Sequence, residues 1–382
     1  MITLVISTAL LSTWARYVLP YDANIGSKSL FQSGSIDVYP KSLIDSLLFN
    51  KQSTQSQHIT PGLCPMQNMS NKEDVEFKTL DGLTLRGWLF PGPPRGPAII
   101  MTPGFNLTMY MIIFEAGQYM NAAGFTVLGY DPRNIGKSDG SPRNNIDPLK
   151  NIEDYHDALT YLKTYRRDLV DPSKIAFWGY SFSGSIALCA AALDKRAKAV
   201  IACAAITTWE FTKWKQVLAK AMKDRESQLA GNQGMNLPLF TESGDSPVGL
   251  GTGYQGEGVA ELVTRAASVD SSFVPRTTLQ TFYNIAAFRP LALMKFVDPT
   301  PVLIMTGEGD EVSPPELQRK LIYDAITGPK EFVMIKNRKH MDILTGEGSL
   351  DVFEKQADFL HRVMASGKGT NGISANGNHD RS

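Results

Sequence analysis

Trp178-Gly179-Tyr180-Ser181-Phe182-Ser183-Gly184 follows a short apolar run, Lys174 to Phe177, and opens an alanine-rich stretch. Together these predict a strand, a sharp turn and a helix, with a serine at the apex. Such a turn forces the apex residue into a strained backbone conformation and needs small neighbours on either side. It also aims the backbone N–H of Phe182 at the place where an oxyanion would form. The usual pattern is G-x-S-x-G; here Ser183 holds the fifth position and glycine arrives only at Gly184. Serine is small enough for the close helix–strand approach, so chemistry rather than binding alone is the favoured reading.

Working outward, Val75 to Thr79 alternates, Asp81-Gly82 supplies a hairpin turn, and Leu83 to Phe90 alternates again before Pro91. Ala98 to Met101 is a continuous apolar run, as expected of a strand buried on both faces, and ends at Thr102-Pro103-Gly104. A helix is predicted from about Tyr110 to Ala123 and a strand from Phe125 to Tyr130. The next helix, Leu149 to Asp168, has apolar positions Leu149, Ile152, Tyr155, Leu159 and Leu162. After the elbow come strands at Ala199–Ile206, Pro301–Met305 and Glu331–Ile335, and helices near Pro315–Ala325 and Leu350–Val363. Alternation of this kind marks an α/β fold: a mostly parallel, eight-stranded sheet wrapped by helices. The rhythm breaks over 207–290, which reads as an inserted lid between core segments 71–206 and 291–365. Residues 1–70 carry no sustained period and read as an irregular leader or extra cap, and 366–382 as a flexible tail.

A serine hydroxyl needs a base within hydrogen-bond reach, itself oriented by an acid, and in this fold both lie downstream. Of five histidines, His58 falls in the leader, His156 and His361 inside helices and His379 in the tail, leaving His340 just after a predicted strand. The acid belongs in the loop Thr306-Gly307-Glu308-Gly309-Asp310-Glu311; Asp310 is the expected partner, with Glu308 and Asp342 as alternatives. The second oxyanion donor is assigned to the N–H of Phe105, in a turn whose geometry Gly104 permits. Asp131-Pro132-Arg133 and Gly136 to Gly140 read as a structural turn. Trp209, Phe211, Trp214 and Leu218 are candidates to line an apolar tunnel, with Trp209 and Trp214 the expected substrate contacts.

The chain's 382 residues, 43% of them hydrophobic, suffice for a large core, and 38 basic residues balance 38 acidic ones. No basic stripe appears, which argues against a nucleic-acid partner. Cys64, Cys189 and Cys203 lack C-x-x-C spacing and read as buried free thiols rather than a disulfide scaffold or zinc site. The run Gly249 to Gly253 lacks the strand and helix that a phosphate loop needs, and no metal-ligand spacing is visible, so neither cofactor nor metal is expected. The apolar stretch Ile2 to Leu11 is too short to span a membrane and lacks basic residues before it; a cytoplasmic location is expected, with secretion the alternative. Sequons begin at Asn68 and Asn106, and a glycan at the second would obstruct the pocket.

From about Val75 to Met364, some three quarters of the chain, the sequence resembles the α/β-hydrolase superfamily and, more narrowly, the fungal polyketide transferase family. The resemblance rests on Met101 to Phe105, Tyr130 to Arg133 with the Gly136–Pro142 turn, Trp178 to Gly184, Ala192 to Arg196, Asp224-Arg225-Glu226-Ser227 and Gly307 to Pro314. Relatives carry serine or cysteine as nucleophile; this chain has Ser181, so thiol chemistry is not carried over. The resemblance implies a serine-dependent hydrolase or acyltransferase of secondary metabolism, acting through an acyl-enzyme on a small polyketide-type ester or thioester delivered by a polyketide synthase. A homodimer is compatible with it. The alternatives are condensation or cyclisation without an acyl-enzyme, and a generic carboxylesterase or peptidase.

Overall fold

Short apolar runs with no polar interruption can be buried on both faces of a sheet, and they set the centre of this molecule. The computed structural model describes residues 72–209, 211–241, 245–248, 266–268, 270–346 and 348–365. The expected leader and tail, Cys64, His58, His379, the Asn68 sequon and the Gly249 to Gly253 run lie outside the described residues. In chain order the elements are β1 (Glu73–Lys78), β2 (Thr84–Phe90), β3 (Gly96–Thr102), α1 (Ile113–Ala122), β4 (Thr126–Tyr130), α2 (Pro148–Tyr165), β5 (Val170–Tyr180), α3 (Phe182–Leu193) and β6 (Ala199–Cys203). Then follow α4 (Trp214–Leu229), β7 (Asn236–Pro238), β8 (Arg276–Thr278), α5 (Leu279–Ala287), a 3-10 segment Pro290–Phe296, β9 (Val302–Gly307), α6 (Pro315–Gln318), β10 (Lys330–Ile335) and α7 (Ser349–Ala365).

The main sheet has eight strands in the order β1-β2-β4-β3-β5-β6-β9-β10. β1 and β2 pair antiparallel, as do β2 and β4, and the remaining neighbours are parallel. Registry brings Tyr180 beside Cys203, and Cys203 beside Met305, so β5, β6 and β9 end together and their following loops meet above one edge. Helix α3, alanine-rich and buried along its length, lies directly against this centre.

The neighbours of β5 hold it by specific bonds. The Tyr155 hydroxyl, from α2, donates to the Trp178 carbonyl at 2.7 Å and exchanges a 2.6 Å bond with Thr102 Oγ1 of β3. On the other side the Trp178 indole donates to Gln356 Oε1 of α7 at 2.7 Å. Helix α2 starts where Asp147 accepts from the backbone of Leu149 and Lys150 with Pro148 in the first turn, a well-formed N-cap. Of its expected inward positions, Ile152, Tyr155, Leu159 and Leu162 are buried, whereas Leu149, at the cap, is exposed.

Several boundaries differ from the sequence reading, for local reasons. The β6 strand stops at Cys203 rather than Ile206, because Ala204 takes a left-handed φ of 49° and turns the chain. The helix expected over Pro315–Ala325 is one α-turn continued as a π segment, Arg319–Tyr323. Within 207–290, β7 and β8 form a small antiparallel pair that periodicity did not signal. α4 and α5 are joined through Asp224, whose carboxylate accepts from Gln228 Nε2, Gln280 Nε2 and the Met235 N–H, each at 2.7 Å. This region is tied back to the core: Thr277 Oγ1 donates to the Asn144 carbonyl, Asn284 Nδ2 to that of Ile146, and Asn106 Nδ2 to that of Val274. Among the described residues no helix is long and apolar enough to cross a membrane.

Candidate active site

Ser181 sits at φ 57° and ψ −120°, a conformation that L-residues rarely adopt and that costs of order 1–3 kcal/mol. The surroundings hold it there. Its N–H donates to Cys203 O at 2.8 Å, while its carbonyl accepts from Gly184 N at 3.0 Å and Ile206 N at 3.3 Å. A Cβ on Gly179 would collide with the Ser183 carbonyl, so position 179 must be glycine; one on Gly184 would sit 3.2 Å from Ala205. The serine at the fifth position has a use that a glycine would not: Ser183 Oγ donates to the Pro103 carbonyl and ties the elbow to the turn after β3.

A serine preceding a helix ordinarily caps it with its side-chain oxygen. Ser181 makes no such cap; its hydroxyl lies 2.8 Å from His340 Nε2 instead. His340 Nδ1 is 3.0 and 2.9 Å from the two Asp310 carboxylate oxygens. A carboxylate only accepts, so Nδ1 carries the proton and Nε2 presents its lone pair to the serine hydroxyl. All three side chains are buried, at 8% exposure for Ser181, 4% for His340 and 3% for Asp310.

The loops bearing the acid and the histidine are fixed to each other. Gly307 packs so closely under the Arg338 carbonyl that a Cβ would collide with it, and Gly309 N donates to that carbonyl at 2.8 Å. The alternative acids serve this loop rather than the ring: Glu308 accepts from Asn337 N at 3.2 Å and Asp342 from Lys339 N at 2.6 Å. Asp310 Oδ1 also accepts from Ser313 N at 2.8 Å, and Ser313 Oγ donates to Ala205 O at 2.6 Å beside the elbow. From below, the Tyr180 hydroxyl donates to the His340 carbonyl at 2.6 Å.

The backbone N–H groups of Phe105 and Phe182 have no acceptor among the described residues, and both residues line the cavity over Ser181. Gly104 matters through space rather than torsion: its φ is ordinary, but a Cβ there would lie 3.3 Å from Ser181 Cβ, and the left-handed residue of this turn is Asn106, at φ 57°. Asn106 is itself buried at 3% exposure, which leaves its amide no room for a glycan in the folded chain.

The cavity encloses about 850 Å³ of empty space, part of it open to solvent, and its walls include Trp209, Leu239, Phe240, Phe282 and Ile285. Trp209 is in place, its ring against Phe182 and Phe288 at 5.1 and 5.2 Å and its indole donating to Ile206 O. Trp214 is not: it opens α4 with half its surface exposed and does not reach the cavity. Phe211 packs behind Phe282 at 6.1 Å, and Leu218 is likewise outside the lining. Trp214 shares the helix face of Val217, Ala221 and Asp224 but is the first residue of α4, one turn ahead of the first buried position, Val217. Sequence reasoning passed over Leu239, Phe240, Phe282, Ile285, Val312 and Met341, which come from α5 and from separate loops and share no motif. Tyr180 and Ser183 were legible in principle, lying within the elbow itself.

The turn after β4 is internally satisfied. Asp131 accepts from Met109 N at 2.7 Å and Lys137 N at 2.8 Å, and burial pushes its carboxyl up to about 6. Arg133 pairs with Asp154 at 2.6 Å and Asp81 at 2.7 Å. Cys189 and Cys203 are buried free thiols, and burial pushes both well above the usual thiol range.

The family model described as alpha/beta hydrolase fold matches residues 97–347. A thiohydrolase of Eupenicillium brefeldianum is 43% identical over 305 residues, covering 79% of this chain and 98% of the relative. A polyketide transferase of Stachybotrys chlorohalonatus is 44% identical over 295 residues, covering 77% and 98% respectively. The crystal structure of an alpha/beta hydrolase from a Penicillium species superposes with a TM-score of 0.70 at 39% identity, over 78% of this chain and all of that one. The chain therefore belongs to the α/β-hydrolase family and is an enzyme of it, similar to fungal proteins named thiohydrolase and polyketide transferase.

Proposed function

We propose that this protein is a serine-dependent acyl transferase or hydrolase acting on a polyketide-type ester or thioester in fungal secondary metabolism. The observation that carries the reading is the continuous hydrogen-bonded chain from Ser181 Oγ through His340 to Asp310, set under two unpaired backbone donors. In this reading Ser181 Oγ gives its proton to His340 Nε2 and bonds to the substrate's carbonyl carbon, while the N–H groups of Phe105 and Phe182 receive the oxyanion. Asp310 keeps the imidazole in the required tautomer and stabilises the imidazolium without taking its proton. Collapse expels the thiol or alcohol, protonated by His340, and leaves the acyl group on Ser181. Water or a second hydroxyl, deprotonated by His340, then releases it. The aromatic and aliphatic walls suit an apolar acyl chain, and residues 207–290 serve as the lid that excludes water.

The test is a medium-chain acyl N-acetylcysteamine thioester mixed with the enzyme and quenched early for peptide mass analysis. An acyl adduct on the Ser181 peptide, absent from Ser181→Ala, is expected. Undiminished product formation by Ser181→Ala would replace this reading with acid–base condensation on the same fold.

A further inference from the structure

Gly104 to Leu107 form a tight turn, closed by the Leu107 N–H donating to the Gly104 carbonyl at 3.2 Å. Phe105 and Asn106 are its central residues, and Asn106 takes the left-handed φ of 57° that glycine and asparagine tolerate best there. Such a turn uses the N–H of its fourth residue and leaves that of its second unpaired. The Phe105 N–H is therefore a spare donor by construction, and it has no acceptor among the described residues. Where it points depends on what holds the turn. One hold is the Ser183 hydroxyl on the Pro103 carbonyl, just ahead of it. The second is Asn106.

The buried Asn106 amide is a junction. Its Nδ2 donates to the Val274 carbonyl at 3.0 Å, and its Oδ1 accepts from Asn144 Nδ2 at 3.4 Å. Both partners lead to β8: Val274 lies just before it, and the Asn144 carbonyl accepts from Thr277 Oγ1 at 2.8 Å and Thr278 N at 3.2 Å. The carbonyl after Val274, that of Pro275, accepts from the Leu239 N–H at 3.1 Å, and β8 pairs with β7, which ends immediately before Leu239. Leu239 and Phe240 wall the cavity over Ser181; its other walls Tyr180 and Met341 are shared with a second cavity of about 1030 Å³. A continuous line of bonds thus runs from a wall of the acyl cavity to the residue beside the oxyanion donor.

We propose that Asn106 is a positioning residue, through which the Leu239–Phe240 wall, when an acyl chain fills it, holds the Phe105 N–H on the developing oxyanion. This rests on the serine acyl-enzyme reading, and it makes the substrate's own tail the regulator of that site. A hydrogen bond weakens steeply as its angle and length depart from the best values, so a turn free to drift loses much of its donor's effect. Contacts made by the remote end of the chain are then realised at the reacting carbonyl. They raise the rate of acylation instead of only tightening binding. An acetyl group presses on far less of that wall than an octanoyl group and gains correspondingly little.

Octanoyl and acetyl N-acetylcysteamine thioesters, supplied at saturation to the full-length enzyme and quenched early, give two acylation rates for Ser181 by peptide mass analysis. In the wild type the octanoyl group should add about tenfold faster or more. Asn106→Gly tolerates the left-handed φ and loses both amide bonds. It should slow octanoyl addition about tenfold and acetyl addition less than about twofold, which closes the gap. Equal slowing of both, or of neither, overturns the proposal. A second readout separates the donor from the cavity. Octyl trifluoromethyl ketone takes Ser181 Oγ on its carbonyl carbon, the serine proton passes to His340, and the resulting oxyanion occupies the hole. Its affinity should fall about tenfold in Asn106→Gly, while that of octanol, which forms no oxyanion, stays within about twofold. Parallel losses for the ketone and the alcohol make Asn106 a wall residue only and overturn the proposal. Should Asn106→Gly fail to fold, the wild type decides: the length-dependent gap sustains the proposal, and rates within about threefold of each other overturn it. No octanoyl adduct on wild-type Ser181 is a separate outcome, which removes the acyl-enzyme reading and the proposal together; an adduct formed without a length gap removes the proposal alone.

Discussion

Two loops leave the carboxyl ends of β4 and β5, and they handle buried polar groups in opposite ways. In the turn after β4 these buried polar groups are answered: Asp131 by two backbone N–H groups, Arg133 by Asp81 and Asp154, and Ser138 by the Asp131 carbonyl at 2.5 Å. At the elbow after β5 the opposite holds. The serine declines to cap its helix, the Phe182 N–H has no acceptor among the described residues, and the backbone is held at a strained torsion. Both loops bear acidic or hydroxyl side chains in tight turns, so composition does not separate them. Unused hydrogen-bonding capacity does, because a folded chain leaves buried donors unpaired only where something else must fill them.

The largest effect that would sharpen this contrast is at Ser181. Ser181→Ala should lower thioester turnover by about four to six orders of magnitude while leaving thermal stability equal or higher, since the strain there serves no packing purpose. A melting point several degrees lower, with substantial turnover, would make the elbow a structural turn like its neighbour. Next comes Ser183→Ala, which frees the Pro103 carbonyl and lets the Phe105 turn drift. A loss of about ten- to a hundredfold in kcat is expected with KM little altered, read from steady-state kinetics.

The loop after β4 should respond in stability rather than in chemistry. Asp131 binds its proton more tightly in the folded chain, at about 6 against 3.8 unfolded, so its contribution is full below about pH 3.8 and is lost as pH rises through 6. Its size is of order 3 kcal/mol. Asp131→Asn lacks this dependence, and the stability gap between wild type and variant should therefore widen on going from pH 7 to pH 5 in urea melts. A narrowing gap would contradict the burial account. The smallest contrast is between two tryptophans: Trp209→Ala should raise the KM of a long-chain thioester by about tenfold, whereas Trp214→Ala should stay within twofold in every kinetic constant.

The strand–turn–helix around Ser181 could be read from local pattern because the strain, the small neighbours and the apolar strand are all consecutive in the chain. His340 could be reached by elimination among five histidines, each placed by its surrounding periodicity. The aromatic walls resisted the same treatment. Trp209 and Trp214 are five residues apart and look alike in sequence, yet one is buried at 6% exposure and the other half exposed, which depends on where along α4 the packed stretch begins. Leu239, Phe282 and Met341 sit together only because β7, α5 and the histidine loop converge, and convergence has no local signature.

Legible from the chain were the eight strands of the main sheet in order, the elbow, and the residue types able to run acyl chemistry, since these follow from periodicity and from torsions that neighbours in the chain dictate. Packing in three dimensions was needed to see that Ser183 clamps the oxyanion turn, that Glu308 and Asp342 brace a loop while Asp310 meets the ring, and that a second cavity opens behind Tyr180 and Met341. The reason is physical. Hydrogen bonds and cavities form between groups scores of residues apart, and their distances are set by how the sheet twists and the helices pack, which no short stretch of chain encodes.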